Sequence, residues 1–428
     1  MFIPDNSLLR QVSICEYYLK CIGNVTSRNK LTGNIPVRIF REALEIISRR
    51  HSFLSCIFFD QGDKIYYKKK ASAVPLSIIE NVKSEAERNN LYIQELNDSI
   101  DPYKQLWRVL LILDCKAEEI NQDTDMEMIL TLQHSICDGI SILNLVKEIM
   151  EQIQALLAGK TLYETKPLPV SPALDTVLID NSAFKNMNSI EGQDNEDFDR
   201  IESDFSIDKT RCKIHYIRDN FTAAETEALV AQCRSYGITV HAALCAAISK
   251  STADIIDPAG RDLNLRLTSA VDLRRRFSFL PDKMHLVSYA TLEPVMVANI
   301  HSGIPALAKQ IMLALKGRLN KTNGLELIKA ITECASYKDI ANLRKIPVSL
   351  GISNAGKVDI AAEYNGFVLH ATDFSASGKY NNIIMPVTTF NRSMGYLFLY
   401  TEPWFTTDCV QRLNQGFRQY LLDFIQDK

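Results

Sequence analysis

A histidine and an aspartate four positions apart are the residues whose types and spacing could do chemistry. In "TLQHSICDGIS", His134 is followed by Asp138 and Gly139. A histidine held in one orientation can act as a general base near neutral pH. It could take a proton from a hydroxyl or amine that attacks a thioester, without a serine or cysteine nucleophile. The pattern therefore predicts that His134 is a base.

The same residues also fit an ordinary structural role. Aspartate is among the favoured N-cap residues, and a loop histidine is often simply hydrogen-bonded. HxxxD is a weak pattern by itself, so the spacing leaves both interpretations open. The sequence contains no GxSxG, no P-loop and no GxGxxG after a strand. Cys137, inside the motif, is expected to serve packing because no cation neighbours it in sequence.

A strand and a helix must position these residues. Residues 126–133 alternate between apolar and more polar positions, which predicts a strand that ends at His134. A helix is predicted from Gly139, with Gly159 at its C-terminal stop. Upstream, 37–50 has the period of an amphipathic helix.

Composition excludes several classes of protein. The chain has 428 residues and a net charge of −3, so no broad basic field predicts a nucleic-acid partner. Its ten cysteines are scattered without a CxxC pair, which predicts reduced thiols, no metal site and a cytoplasmic location. The N-terminus does not have the pattern of a signal peptide, and no apolar run approaches the ~20 residues of a membrane span.

The chain is expected to consist of two α+β halves. We place the first at 1–175, an acidic connector at 176–213 and the second half at 214–428. Residues 166–175, just before the connector, are proline-rich, and 189–208 holds eight acidic residues against one arginine. Such a stretch is typical of an exposed link between domains.

The second half begins with a helix and continues with strands. Thr222 and Glu225 form a capping-box pattern. The next helix is apolar and carries His241, which is expected to be a satisfied core histidine. Residues 263–270 alternate as a strand.

Several segments resemble one family. "QHSICDG" resembles the HHxxxDG motif of the CoA-dependent acyltransferase superfamily, which includes condensation domains of nonribosomal peptide synthesis, polyketide-associated acyltransferases and alcohol acetyltransferases. "ALEIISRRHSFLSCIFF" resembles an early segment of the family. "GITVHAALCAAI", "TSAVDLRRRF" and "GISNAGKVDI" resemble segments of its standalone branch, in the same order.

The resemblance implies a fold and a site. The fold would be two chloramphenicol-acetyltransferase-like domains in a V-shaped pseudo-dimer with a central tunnel. His134 would lie at their interface, midway along it. A pantetheine thioester of CoA or of an acyl carrier protein would enter from one face as co-substrate, and no cofactor would be bound permanently. Ser353 and Asn354 are expected near the tunnel, either helping an oxyanion or forming a strand-end turn.

The sequence departs from the family pattern at two positions. The first motif histidine is Gln133 here, and an arginine that helps hold the motif aspartate is Ser55. Asp138 therefore needs another cation. "DLRRR" supplies one, and we expect Asp138 to pair with Arg274 in a structural role. The DFGWG signature of the plant acyltransferases is missing, which argues against that branch.

Recognition of the donor must rest on a local basic patch, because the chain has no broad basic surface. Arg344 and Lys345 precede the strand that carries Ser353, and Lys357 follows its turn. These three residues are candidates for binding the donor, with a solvated loop as the alternative.

Three functions remain open from the sequence. The first is an acyltransferase that esterifies a small-molecule alcohol. The second is a freestanding condensation enzyme that forms an amide with an amine or a carrier-bound acceptor. The third is a non-catalytic member that binds carrier proteins. In each case we expect a monomer without an integral membrane segment.

Overall fold

The computed structural model describes most of the chain. The described residues are 7–70, 73–163, 166–179, 184, 197–203, 206–282, 284–334, 336–340 and 348–427. They form two six-stranded sheets and one three-stranded sheet.

The first six-stranded sheet contains the strand that leads to His134. Numbered along the chain and given in spatial order, its strands are β12 (Glu363–Tyr364), β13 (Phe367–Ser377), β2 (Asn24–Gly33), β7 (Asp125–Gln133), β6 (Trp107–Leu113) and β5 (Leu76–Ile79). The three-stranded sheet consists of β1 (Leu8–Gln11), β4 (Lys64–Lys69) and β3 (Cys56–Gln61). The helices of this half are α1 (Ile14–Ile22), α2 (Val37–Arg50), α3 (Glu85–Asn97), α4 (Gly139–Leu157) and α5 (Leu174–Leu178).

Helix α2 confirms the prediction for 37–50. Its apolar positions Phe40, Ala43, Leu44 and Ile47 are all buried, and they share one core with α4 and the first sheet. An amphipathic stripe of this kind is stabilised mainly by the apolar area that it removes from water.

Strand β7 is buried on both faces, more than its alternation predicts. Met128 and Leu130 join the core that holds α2 and α4. Ile129, on the opposite face, packs with Leu397 and Leu399 of the second half. The second half therefore helps to cover this face, together with Tyr92 and Leu96 of α3.

The second six-stranded sheet supplies the other side of the site. In spatial order its strands are β10 (Ala290–Val297), β9 (Leu265–Asp272), β11 (Leu350–Lys357), β14 (Ile383–Phe390), β15 (Ser393–Glu402) and β8 (Lys213–Phe221). The helices are α6 (Ala223–Ser235), α7 (Val240–Ile256), α8 (Ile304–Thr322), α9 (Glu326–Thr332), α10 (Tyr337–Ile340) and α11 (Thr407–Gln426). The capping box of Thr222 and Glu225 is present at the start of α6.

Two strands, β12 and β13, cross between the halves. β13 belongs by sequence to the second half, yet it pairs antiparallel with β2 of the first sheet, from Phe367 opposite Gly33 to Ser377 opposite Asn24. A division of the chain at residue 214 therefore does not separate the two sheets. The crossing places Phe374 beside the start of α4.

The acidic connector predicted at 176–213 lies largely outside the described residues, which exclude 180–183, 185–196 and 204–205. Where it is described, it contacts the second half. The Asp199 carboxylate accepts hydrogen bonds from Arg261 Nη2 and from the Asn264 backbone N–H, each at 2.9 Å. Ile201 is buried in the core of the second half.

Candidate active site

His134 lies in a short turn that is hydrogen-bonded to the residue just before β2. β7 ends at Gln133, whose Oε1 accepts a hydrogen bond from the Ser135 backbone N–H at 2.6 Å. The His134 backbone N–H donates to the Gly23 carbonyl oxygen at 3.1 Å. Gln133, which replaces the first histidine of the family motif, therefore caps the turn that carries His134.

The His134 ring lines a cavity and is half-buried. Its Nδ1 is shielded from solvent and has no hydrogen-bond partner among the described residues. Burial lowers the pKa of His134 below its usual 6.5, and this outweighs the opposing effects of its own turn and of Asp138. The imidazole is therefore neutral at pH 7, as a general base requires.

Asp138 caps α4 and is fully buried. Its Oδ1 accepts from the backbone N–H and the hydroxyl of Ser141, at 2.8 and 2.7 Å. Its Oδ2 accepts from Arg274 Nη1 at 2.8 Å and from the Tyr289 backbone N–H at 2.9 Å. Burial alone would raise the pKa of Asp138, but Arg274 and Ser141 together hold it below the usual range.

The pairing of Asp138 with Arg274 that the sequence predicts is present. Both side chains are almost inaccessible, at 3% and 6%. Arg274 also donates to Asp272 Oδ1 at 3.1 Å and to the Val287 carbonyl oxygen at 2.9 Å. No hydrogen bond joins Asp138 to the His134 ring in the described part of the chain, so the arrangement differs from a charge-relay triad.

A glycine is required at position 139 because β13 packs closely against the start of α4. A Cβ at this position would lie 2.5 Å from the Phe374 ring, which is buried. The first residue of α4 can therefore approach β13 only without a side chain.

Gly139→Ala is expected to lower the free energy of unfolding by about 1–3 kcal/mol, since the added methyl group overpacks a closed site. Chemical denaturation measures this loss. Gly317→Ala is the control, because that helical glycine has no atom within 4 Å of its added Cβ. The control should gain up to about 1 kcal/mol. Equal effects of both substitutions would contradict the steric explanation.

Three adjoining cavities lie between the two sheets. The inner cavity, of about 200 Å³, is lined by His134 and by apolar side chains that include Ile22, Val25, Leu292 and Ile384. The polar cavity, of about 440 Å³, is lined by His241, Ser269, Asn354 and Arg276. The outer cavity, of about 370 Å³, is lined by Arg274, Arg275 and Lys357.

Shared lining residues show that these cavities adjoin, and we refer to the three together as the passage. Ser353 and Phe374 line both the inner and the polar cavity. Asp272 and Arg275 line both the polar and the outer cavity. The passage therefore changes from an apolar end at His134 to a charged end at Arg275.

The other predicted site residues lie in different parts of the structure, and two of them are outside the described residues. Ser353 lies where the inner and polar cavities meet. Asn354 lines the polar cavity, and its Oδ1 accepts from the Gly356 backbone N–H at 2.8 Å, so it also forms a turn. Lys357 is exposed and lines the outer cavity. Arg344 and Lys345 lie outside the described residues.

His241 lines the polar cavity, a position that its sequence context does not indicate. Its Nε2 lies 2.9 Å from the Ser269 hydroxyl, as expected for a satisfied histidine, but the ring also lines the polar cavity. Burial lowers the pKa of His241 to about 4. Its position near the start of an apolar helix gives no local signal of a cavity.

No group of three or more His, Cys, Asp or Glu side chains in the described ranges is arranged to hold a metal ion. None of the described helices is both long and apolar enough to cross a membrane.

Parts of the sequence match known proteins. Residues 211–383 match the family model for the C-terminus of phthiocerol/phthiodiolone dimycocerosyl transferase. Over 144 residues, 33% of the chain, the sequence is 28% identical to nonribosomal peptide synthetase kk1B from Curvularia clavata. That match spans only 1% of the synthetase.

Solved structures share the fold along nearly the whole chain. The trichothecene 15-O-acetyltransferase from Fusarium sporotrichioides superposes with a TM-score of 0.70 at 13% identity, over 97% of this chain and 95% of that one. The first condensation domain of the CDA synthetase superposes with a TM-score of 0.73 at 12% identity, over 99% of this chain and 97% of that one. The predicted two-lobed, chloramphenicol-acetyltransferase-like α+β fold is confirmed. Together with the family match, this confirms the resemblance of the chain to the CoA-dependent acyltransferase superfamily.

Proposed function

We propose that this protein transfers an acyl group from a pantetheine thioester to a hydroxyl acceptor, with His134 as general base. The observation that carries the proposal is a neutral, half-buried histidine that lines a passage between two sheets. The donor is acyl-CoA or an acyl carrier protein, and no resident cofactor takes part.

The proposed chemistry uses the exposed side of the imidazole. Nδ1 of His134 is buried, so Nε2 is the nitrogen that can meet a substrate. It removes the proton of the acceptor hydroxyl as that oxygen attacks the thioester carbonyl carbon. The C–S bond then breaks, and the pantetheine thiolate takes the proton back from His134. Ser353, at the junction of the cavities, is the candidate donor of a hydrogen bond to the transient oxyanion.

The charge along the passage supports an assignment of its two ends. Arg275 and Lys357 line the outer cavity beside Asp272, Asp282 and Asp359, and these two exposed cations are our candidates to contact a CoA phosphate or a phosphopantetheine phosphate. We therefore place the pantetheine arm in the outer and polar cavities. The acceptor then approaches His134 from the inner cavity.

A second candidate function is amide formation. The fold shared with a condensation domain and the match to a nonribosomal peptide synthetase favour it. The mechanism at His134 is the same, with an amine in place of the hydroxyl. The ordered contacts of Asp138 with Arg274 argue against a non-catalytic member, because the loss of an arginine at Ser55 does not leave Asp138 unpaired.

Mass-spectrometric detection of products separates these functions. The purified chain is incubated with acyl-CoA or acyl carrier protein and a panel of alcohols and amines. An ester with release of free thiol supports the first function, and an amide supports the second. Binding of a carrier protein without any product would contradict both.

The assignment of the donor end predicts a selective kinetic effect. Lys357→Glu should raise the KM for the donor about 3- to 10-fold and leave the KM of the acceptor nearly unchanged, because an exposed charge contributes modestly and reversal makes it repulsive. Lys64→Glu, at the exposed first residue of β4, is the control. A change in the KM of the acceptor alone would mean that the two ends are assigned in the wrong order.

A further inference from the structure

Asn382 places an amide group in the wall of the inner cavity. It directly precedes β14, whose Ile383 and Met385 are buried in the core of the second half. Side chains alternate along a strand, so Asn382 and Ile384 lie on the opposite face, and both line the inner cavity. Gly351 of β11, another lining residue, pairs with Ile384. A Cβ added to Gly351 would lie 3.5 Å from Asn382 Nδ2, so the amide extends over the cavity face of β11.

The Asn382 amide is both accessible and unpartnered. The side chain is half-buried, and neither amide atom is shielded from solvent. Neither has a hydrogen-bond partner within the part of the chain that the structure describes. In this respect the amide differs from Nδ1 of His134, which is buried. A ligand in the inner cavity can therefore contact the amide directly.

A second accessible polar group lines the inner cavity from the first half. Tyr18 of α1 is half-buried, and its hydroxyl is neither shielded from solvent nor hydrogen-bonded among the described residues. Burial and the nearby Tyr18 raise the pKa of Tyr380, which lies two residues before Asn382 and lines the same cavity. Tyr18 and Asn382 therefore approach one region, and a test must distinguish them. The placement of the Asn382 amide over Gly351 makes it our candidate for contact with a ligand.

Most of the remaining wall is apolar, and the space is limited. Leu19, Ile22, Val25 and Leu292 are among its side chains, and the volume is about 200 Å³. An apolar cavity of about 150 Å³ can hold benzene, so this one holds a group of about six to eight heavy atoms. A wholly apolar group in this space would remove the Asn382 amide from water without replacing its hydrogen bonds, which disfavours binding. The cavity therefore favours a ligand with an oxygen atom that the amide can contact.

We propose that Asn382 Nδ2 donates a hydrogen bond to one hydroxyl or carbonyl oxygen on the substrate portion that fills the inner cavity. That portion is an otherwise apolar group of about six to eight heavy atoms, and the oxygen is separate from the reacting group. The inference rests on the proposed function, since His134 defines where the reacting group lies. The oxygen belongs to the acyl group or to the acceptor, and the two arms of the test distinguish these sources.

Equilibrium binding to the full chain tests the proposal without turnover, because each ligand is titrated in the absence of its co-substrate. The acyl arm compares the N-acetylcysteamine thioester of octanoate with those of 3-, 5- and 7-hydroxyoctanoate. The acceptor arm compares octan-1-ol with octane-1,3-, 1,5- and 1,7-diol. In at least one arm, one hydroxylated isomer should bind about 3- to 10-fold more tightly than its parent, the range for one net hydrogen bond.

Three substitutions make the test specific. Asn382→Leu removes the amide at similar volume, and Asn382→Ala removes it without adding bulk. Each should abolish the preference, and Asn382→Leu should bind the parent compound more tightly than the wild type does, because no amide is left unpaired. Tyr18→Phe removes only the neighbouring hydroxyl and should keep the preference.

The proposal is overturned if neither arm shows a preference, if both Asn382 variants keep one, or if Tyr18→Phe abolishes it. The same titrations with His134→Ala keep the outcome separate from the proposed chemistry. A preference that persists there supports the role of Asn382 even if no acyl transfer is ever detected.

Discussion

Replacement of His134 by alanine is expected to preserve the fold and to reduce turnover by about 10²–10⁴-fold, the usual effect of removing a general base. Nδ1 is buried, the ring lines the inner cavity, and the turn is held by backbone contacts that alanine retains. Steady-state kinetics gives the rate, and circular dichroism checks the fold.

His241→Ala is the matched control for this substitution. The two histidines line adjoining cavities, and burial lowers the pKa of both. The Nε2 of His241, however, already contacts the Ser269 hydroxyl at 2.9 Å. We expect a loss of at most about tenfold from this variant. If His241→Ala were the more damaging of the two, the base would have been assigned to the wrong histidine.

The pH dependence of the rate should also show that the base is neutral His134. Because the pKa of His134 lies below 6.5, the neutral imidazole predominates through neutral pH. The profile of kcat/KM should therefore remain level as pH falls toward 6.5 and decline only below it, where the base becomes protonated.

The second large effect is expected for Arg274. Arg274→Ala leaves the buried Asp138 carboxylate without its cation, and such a loss lowers the free energy of unfolding by about 3–5 kcal/mol. Turnover should fall as well, because Asp138 fixes the start of α4 next to the His134 turn. Chemical denaturation and kinetics on the same samples measure both effects.

Arg275→Ala provides the comparison for this variant. Arg275 is the next residue but is 77% exposed, so its loss should change stability by no more than about 0.5 kcal/mol. The double variant Arg274→Ala/Asp138→Asn should recover part of the lost stability, because it removes the uncompensated charge. A loss below about 1 kcal/mol for Arg274→Ala would contradict the structural role of the pair.

The stability of the wild type should show the corresponding pH dependence. The pKa of Asp138 is lowered in the folded state, so this carboxylate contributes stability above its unfolded pKa of about 3.9. That contribution is lost as pH falls through the lower, folded pKa. In Arg274→Ala the pKa of Asp138 should rise because burial is no longer offset by the cation, so protonation of Asp138 should recover part of the lost stability as pH falls.

Local patterns in the sequence predict much of the site. The alternation before His134, the cap at Asp138 and the apolar face of α2 each depend on neighbouring residues, and the structure contains all three. The pairing of Asp138 with Arg274 required one further inference. A cation was needed in place of the missing arginine, and the family segment "DLRRR" offered one.

Other features depend on contacts that are distant in sequence. β13 pairs with β2 across more than three hundred residues, and no local pattern predicts this exchange between the halves. The contact of Phe374 with Gly139 follows from it. The amide of Asn382 lies over Gly351 because β14 pairs in parallel with β11. The residues around Asn382 in the sequence do not show that its side chain lines a cavity.

The central claim is that the passage at His134 is a site of acyl transfer. Its most direct test is mass-spectrometric detection of product from acyl-CoA or acyl carrier protein, across alcohols and amines, for the wild type, His134→Ala and His241→Ala in parallel. The account predicts free thiol and one acylated acceptor from the wild type and from His241→Ala, and little of either from His134→Ala. Equal product from folded His134→Ala and wild type would contradict it.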